Sequence, residues 1–179
     1  MKKLSWSLIV LIITVTSISI VNNRTKDPQF LDDQLSEIEH YFKHRKSFNK
    51  SVSHADVAWH LDHSLKSINS ICESVASSNP EALEQRFNLQ RIFVHTTGYI
   101  PRGAAQAPAS VKPPQTVQLD SLKLQLALVY DNLERLATLD THTYFNHPVF
   151  GHLDRDQTRR FLEIHTNHHL KIIEDILAP

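Results

Sequence analysis

The chain has 179 residues, which is enough for one domain with one hydrophobic core behind an apolar N-terminus. Its formal net charge is zero, so it lacks the excess of basic residues typical of nucleic-acid binding, and we expect no nucleic-acid partner. The single cysteine, Cys72, excludes an intramolecular disulfide and a cysteine-based metal cluster. Glycine is scarce, and long segments carry leucine at helical spacing, which together predict an all-α domain.

Residues 1–23 predict a signal peptide or a membrane anchor. Lys2 and Lys3 precede an uncharged, mostly apolar stretch at residues 4–21, which is close to the shortest length that spans a bilayer. The small-x-small sequence at residues 17–19 offers a cleavage site, so cleavage and retention both stay open. By the positive-inside rule, we expect the domain to be exported, or anchored in a bacterial cytoplasmic membrane and held outside the cytoplasm.

The domain that follows, residues 27–179, begins with two predicted helices. Apolar residues at three- and four-residue spacing predict the first helix at residues 29–45. Ser53 is a good N-cap residue with Asp56 three positions on, so a second helix is predicted from there to about Ser77.

The middle of the chain is less regular. Asn79 and Pro80 predict the start of a third helix that continues toward Val94, although the β-branched and aromatic residues 92–100 are also compatible with a strand. Residues 98–116 contain four prolines, which exclude a regular helix and predict a long crossover loop.

Two further helices complete the predicted domain. Leucines at three-four spacing predict a helix at residues 118–138 with a bundle-type seam. A loop rich in aromatic residues and histidine follows at residues 141–154. Asp154 then caps the last helix, which runs to Leu177, with Gln157 completing a capping box.

The last helix carries the candidate functional residues. His165 and His169 lie one turn apart within its apolar stripe, where buried polar groups must be paired or bound to a metal. His40 and His44 have the same spacing but lie opposite an apolar stripe, so we expect a solvated face there. A zincin has glutamate directly after its first histidine, and Thr166 occupies that position here, so metalloprotease chemistry is disfavoured.

A metal site needs a third ligand from another part of the chain. His60, on the flank of the second helix, is the best placed candidate and His63 is its competitor. His147 and His152 in the histidine-rich loop are weaker alternatives. Three histidines with an open fourth position would form a catalytic type of site, in which water or substrate completes the coordination.

Two motifs resemble a known superfamily. The sequence SHADVAWHLDHS places a histidine in a capped helix, and HTNHHL in the last helix contains the pattern H-x-x-x-H. With the HPVFG sequence before the last helix and the Pro-rich crossover, the chain from 27 to 177 resembles the DinB/YfiT-like superfamily. It is most similar to the branch described as a domain of unknown function with an HP-x-FG loop and a C-terminal H-x-x-HHL motif.

The resemblance implies an up-down four-helix bundle of DinB-like type with one divalent metal ion, zinc or nickel. The ligands that match the superfamily pattern are His60, His165 and His169. Characterised relatives include thiol-dependent S-transferases and isomerases. The expected function is therefore a metal-dependent transferase or hydrolase on an unknown small molecule at the cell envelope; the alternative is a non-catalytic metal- or ligand-binding bundle.

Other expectations concern single residues and partners. Asp62 is expected to face away from His60, which leaves no general acid or base beside the ligands. Arg102 is expected to face solvent unless it binds an anion, and Cys72 is expected to pack in the core. Membrane contact through residues 4–21, if they are not cleaved, and a homodimer are the remaining expected associations.

Overall fold

The structure is a computed structural model that describes residues 6, 8–10, 13, 29–103 and 106–179. The predicted signal peptide or anchor at residues 1–23 lies almost entirely outside these described residues. Within them, no helix combines the length and the hydropathy that a membrane crossing requires.

The domain is mostly helical with one small sheet. Its five longer helices in the described part are α1 (Asp32–Tyr41), α2 (Val57–Ala76), α3 (Leu89–Thr97), α4 (Leu119–Thr138) and α5 (Arg155–Leu177). Short 3-10 helices lie at Phe42–His44, Pro80–Ala82 and Ala109–Val111. An antiparallel hairpin is formed by β1 (Tyr144–His147) and β2 (Gly151–Asp154).

Helix α2 is the centre of the core. It packs against α4 and α5, and α1 packs against α5. Because neighbours cover most of its circumference, α2 buries polar as well as apolar side chains. The fully buried apolar residues include Leu61, Leu65 and Ile68 of α2, with Leu162 and Ile173 of α5 opposite.

The two helices that carry the candidate histidines, α2 and α5, begin at side-chain caps. The capping box predicted for α5 is confirmed, with Asp154 accepting from the backbone N–H of Gln157 at 2.8 Å. The cap predicted for α2 is wrong by three residues, because Asp56 caps the helix and accepts from the N–H of Trp59 at 2.8 Å. Ser53 instead forms a local turn, in which its hydroxyl oxygen accepts from Ala55 N–H at 3.0 Å.

The third predicted helix is interrupted. Asn79 caps only the 3-10 turn at Pro80–Ala82, and α3 starts afresh at its own cap, Asn88. Between them, the backbone forms a hydrogen bond to the hairpin in place of a helical one. The N–H of Glu84 donates to Nδ1 of His152 at 3.0 Å. The strand alternative for residues 92–100 is also wrong, because α3 extends to Thr97 and ends at a glycine in the left-handed conformation.

The histidine-rich segment, predicted as a loop, contains the hairpin. Tyr144 pairs with Asp154 and His147 with Gly151, so the strands are in register up to the start of α5. The expectation of an all-α domain is therefore corrected to a mostly helical one. The Pro-rich crossover after α3 carries the 3-10 turn Ala109–Val111, which packs on α2.

Candidate metal centre

Four histidines from two helices meet in the core. His60 and His63 lie three residues apart on α2, and His165 and His169 lie four apart on α5. Both spacings place the pair on one face of its helix, and α2 packs directly on α5. The two faces therefore bring four imidazole rings together.

Three of the rings have the spacing of metal ligands. One ring nitrogen each of His63, His165 and His169 lies within 4.8 Å of the others. The Nε2 atoms of His165 and His169 are 3.3 Å apart. Nitrogens that share one tetrahedral zinc ion at ~2.0–2.1 Å are separated by about 3.3 Å, so this donor set fits a divalent ion after small side-chain movements.

The hydrogen bonding of His63 determines which of its ring nitrogens carries the lone pair. Its Nδ1 lies 3.0 Å from the carbonyl oxygen of Val111, and a carbonyl oxygen only accepts hydrogen bonds. Nδ1 therefore carries the proton and Nε2 of the neutral ring carries the free lone pair. A hydrogen bond from the second ring nitrogen to a backbone carbonyl is typical of metal-binding histidines.

His60 lies behind His169. Its Nδ1 is 3.0 Å from Nδ1 of His169, and its Nε2 is 3.1 Å from Oγ of Ser53. The geometry thus groups His63, rather than His60, with the two histidines of α5, and gives His60 hydrogen bonds to His169 and to Ser53. The prediction of His60 as a ligand stays a prediction.

The rings are neutral at physiological pH. Burial lowers the pKa of His60 to about 4 and that of His165 to about 3. Burial also lowers the pKa of His63, and that of His169 well below its ordinary value. Neutral imidazoles have the lone pair that metal binding needs, so the site requires no deprotonation at pH 7.

His165 also has an unmet hydrogen-bonding atom. Its Nδ1 is buried and has no partner among the described residues.

Asp62 is turned away from the cluster. Its carboxylate pairs with Lys66 at 2.8 Å and accepts a hydrogen bond from Gln125 at 2.6 Å. The expected orientation of Asp62 is confirmed.

A cavity of about 720 Å³ opens onto the cluster. His63, His165 and His169 lie in its wall, together with other residues of α2 and α5 and residues of α3, the crossover and the hairpin. Its volume is that of a small-molecule site.

Residues 31–175 match the model of a family described as "Protein of unknown function (DUF1569)". The chain belongs to this family. The match includes all four histidines of the cluster, the whole of α2, all but the last two residues of α5, and the hairpin between α4 and α5. No curated protein matches the chain, and no solved structure matches it.

The weaker ligand candidates of this DUF1569 chain lie in the hairpin. His147 lines the cavity, where its ring stacks on Phe150 at 4.2 Å. His152 stacks on Tyr144 at 4.0 Å and accepts a hydrogen bond from the N–H of Glu84, so it attaches the hairpin to the segment before α3. The structure brings neither into the group of three nitrogens.

The other residues singled out in this DUF1569 member lie on the surface, in a salt bridge or in the core. His40 is exposed and His44 partly exposed on α1 and the turn after it, as expected of a solvated face. Arg102 is exposed and forms a salt bridge with Asp175 of α5, which ties the crossover to that helix. Cys72 is buried in the core, as expected.

Proposed function

We propose that this chain is a DinB-like four-helix bundle that holds one divalent metal ion through His63, His165 and His169. The single observation that carries the proposal is the convergence of three neutral ring nitrogens on one wall of a cavity. The SHADVAWHLDHS and HTNHHL motifs support the DinB-like affiliation. Zinc and nickel are among the ions that imidazole ligands suit.

The surrounding residues prepare the ligands. Val111 keeps the lone pair of His63 on Nε2, and Trp59 stacks on the His63 ring at 4.9 Å and restricts its rotation. His60 forms a hydrogen bond with Nδ1 of His169, which leaves Nε2 of that ring for the metal. When bound, the ion supplies Lewis-acid chemistry toward a polar group of a small molecule in the cavity.

The open cavity favours an enzyme, a metal-dependent transferase or hydrolase on a small molecule, because a structural metal site is normally closed by a fourth protein ligand. One observation favours the alternative, a non-catalytic metal- or ligand-binding bundle. No aspartate or glutamate is among the described residues that line the cavity, so no carboxylate is in place there as a general acid or base.

The envelope location and the homodimer stay part of the proposal. The apolar stretch at residues 4–21 supports export or anchoring. Leu124 and Leu128, one turn apart on α4, expose apolar surface and support self-association through that helix.

Metal content of the full chain, purified in detergent without a metal-binding tag and then equilibrated with zinc or nickel, tests the proposal. We expect about one ion per chain by mass spectrometry, and its loss in His63→Ala, His165→Ala and His169→Ala. His40→Ala is the matched control, because His40 is exposed on α1 and should leave the metal content unchanged. Wild-type protein without a stoichiometric ion would contradict the proposal.

A further inference from the structure

His147 is held in one tautomer by the turn between the two strands. Its Nδ1 lies 3.1 Å from the backbone nitrogen of Val149 and 3.1 Å from that of Phe150. Both N–H groups donate, so Nδ1 must carry the lone pair. The proton of the neutral ring therefore sits on Nε2.

The ring is also neutral and fixed in orientation. Burial lowers the pKa of His147 to about 4, so the ring is uncharged at pH 7. Its face stacks on Phe150 at 4.2 Å with an interplanar angle of 11°. Phe161 meets the ring edge-on at 4.8 Å. A ring clamped by two aromatic side chains and two backbone N–H groups has little freedom to change its donor direction.

His147 and the metal centre line the same cavity. The ring of Phe161 contacts both His147, at 4.8 Å, and His165, at 5.5 Å, so a single side chain separates the two histidines. The described residues provide no hydrogen-bond partner for Nε2 of His147, and this atom is not sealed in the core. A molecule in the cavity that reaches the histidine centre therefore also lies close to an unused, preset N–H donor.

The rest of the wall is uncharged. None of the described residues that line the cavity is a lysine, arginine, aspartate or glutamate. Apolar side chains from four parts of the chain contribute most of the wall, among them Ile71, Phe93, Ile100 and Phe150. In the metal-free protein, a charged molecule would lose its hydration there without a counter-charge from a side chain, whereas an apolar one gains from leaving water.

We propose that this cavity binds an uncharged, largely apolar small molecule carrying one hydrogen-bond acceptor such as a carbonyl oxygen, and that His147 donates its Nε2–H to that acceptor. This names the substrate class of the proposed metal-dependent function and rests on it for the chemistry at the three histidines. The binding role of His147 does not depend on the metal. It can therefore be measured in protein stripped of metal.

Three naphthalene derivatives of similar size serve as probes. 2-Acetylnaphthalene carries the acceptor, 2-ethylnaphthalene lacks it, and 1-(2-naphthyl)ethylamine is a cation at neutral pH. In calorimetric titrations of the full chain after dialysis against a chelator, we expect the ketone to bind about three- to tenfold more tightly than the hydrocarbon. The amine should bind most weakly. Equal affinity of ketone and hydrocarbon, or tighter binding of the amine, would overturn the proposal.

His147→Asn separates the donor from the structural role. The amide oxygen of asparagine can replace Nδ1 as acceptor of the two backbone N–H groups, while Nε2–H is lost. We expect this variant to bind the ketone and the hydrocarbon with equal affinity, so that the preference of about three- to tenfold for the ketone disappears. A preference for the ketone that survives in this variant would overturn the role of His147.

The tautomer gives a readout that needs no variant. Nitrogen-15 NMR of the histidine side chains should show His147 protonated at Nε2 and not at Nδ1, with a downfield shift of the Nε2 proton on adding the ketone. A proton on Nδ1 would overturn the inference. Because these measurements use metal-free protein, their failure is distinct from a failure of the metal-content experiment.

Discussion

His60 and His169 face each other through their Nδ1 atoms at 3.0 Å in the buried centre of the domain. Only one of the two atoms can carry the shared proton. If Nε2 of His169 binds a metal, its Nδ1 must be the donor and Nδ1 of His60 the acceptor. His60 then carries its proton on Nε2, where Oγ of Ser53 lies 3.1 Å away and can accept it. The three residues thus form a relay whose direction the metal determines.

The relay predicts a graded effect of His60 substitutions. His60→Ala removes the acceptor for His169, so we expect metal affinity to fall by about 10- to 100-fold while one ion per chain still binds at saturating metal. His60→Asn keeps an acceptor near the position of Nδ1 and should lose less. Competition titration with a chromophoric chelator measures both affinities. A complete loss of stoichiometric binding in His60→Ala would instead make His60 a ligand and contradict the supporting role.

The buried histidines predict acid sensitivity of the metal-free protein. Burial lowers the pKa of His60, His95 and His147 to about 4 from an ordinary 6.5. Between those values the unfolded chain binds protons that the folded chain does not. The stabilisation is therefore complete above pH 6.5 and is lost as pH falls toward 4, by about 1.4 kcal/mol per pH unit for each such histidine.

Urea unfolding between about pH 7.5 and about pH 4.5 measures this dependence. His95→Phe should reduce the pH dependence by roughly the contribution of one histidine. The Nε2 atom of His95 is buried with no hydrogen-bond partner among the described residues, and its ring packs edge-on to Phe150, so phenylalanine can replace it. His40→Gln, at an exposed position, is the control and should leave the slope unchanged. A free energy of unfolding that stays constant over the range would refute the prediction.

Two leucines on α4 form a matched pair for the core. The side chain of Leu122 is fully buried, whereas that of Leu124 is 73% exposed. Leu122→Ala should lower the free energy of unfolding by about 2–5 kcal/mol, because it leaves a cavity against α2. Leu124→Ala should change it by about 0.5 kcal/mol or less. Denaturant titrations compare the two, and equal effects would show that α4 presents a different face to the core.

We expect the buried thiol of Cys72 to be unreactive in the native protein. Burial raises the pKa of Cys72 to about 12, which leaves almost no thiolate at pH 8. We expect no reaction with Ellman's reagent in the native protein and one reactive thiol per chain after denaturation in guanidinium chloride. Fast labelling of the native protein would mean that the α2 core opens readily at this position.

The helices with strong local signals were predictable. The capping box at Asp154 and Gln157 and the apolar stripe of α5 act within one helix, so their outcome does not depend on distant residues. Helix α4, observed at Leu119–Thr138, follows from leucine spacing for the same reason. The break before α3 was not predictable, because Glu84 and Asn88 bond to the hairpin some sixty residues further along the chain.

The sequence by itself determined that His165 and His169 share the buried face of the last helix, because four residues make about one helical turn. It left the partner on α2 open, since His60 and His63 differ by only about 60° around the helix axis. Tertiary structure decided which of the two has a ring nitrogen grouped with those of His165 and His169. The carbonyl of Val111, delivered by the crossover, orients His63, while His169 and Ser53 occupy both nitrogens of His60. Hydrogen bonds between segments far apart in the chain leave no trace in spacing or periodicity, so only the folded arrangement reveals which histidine has a free lone pair.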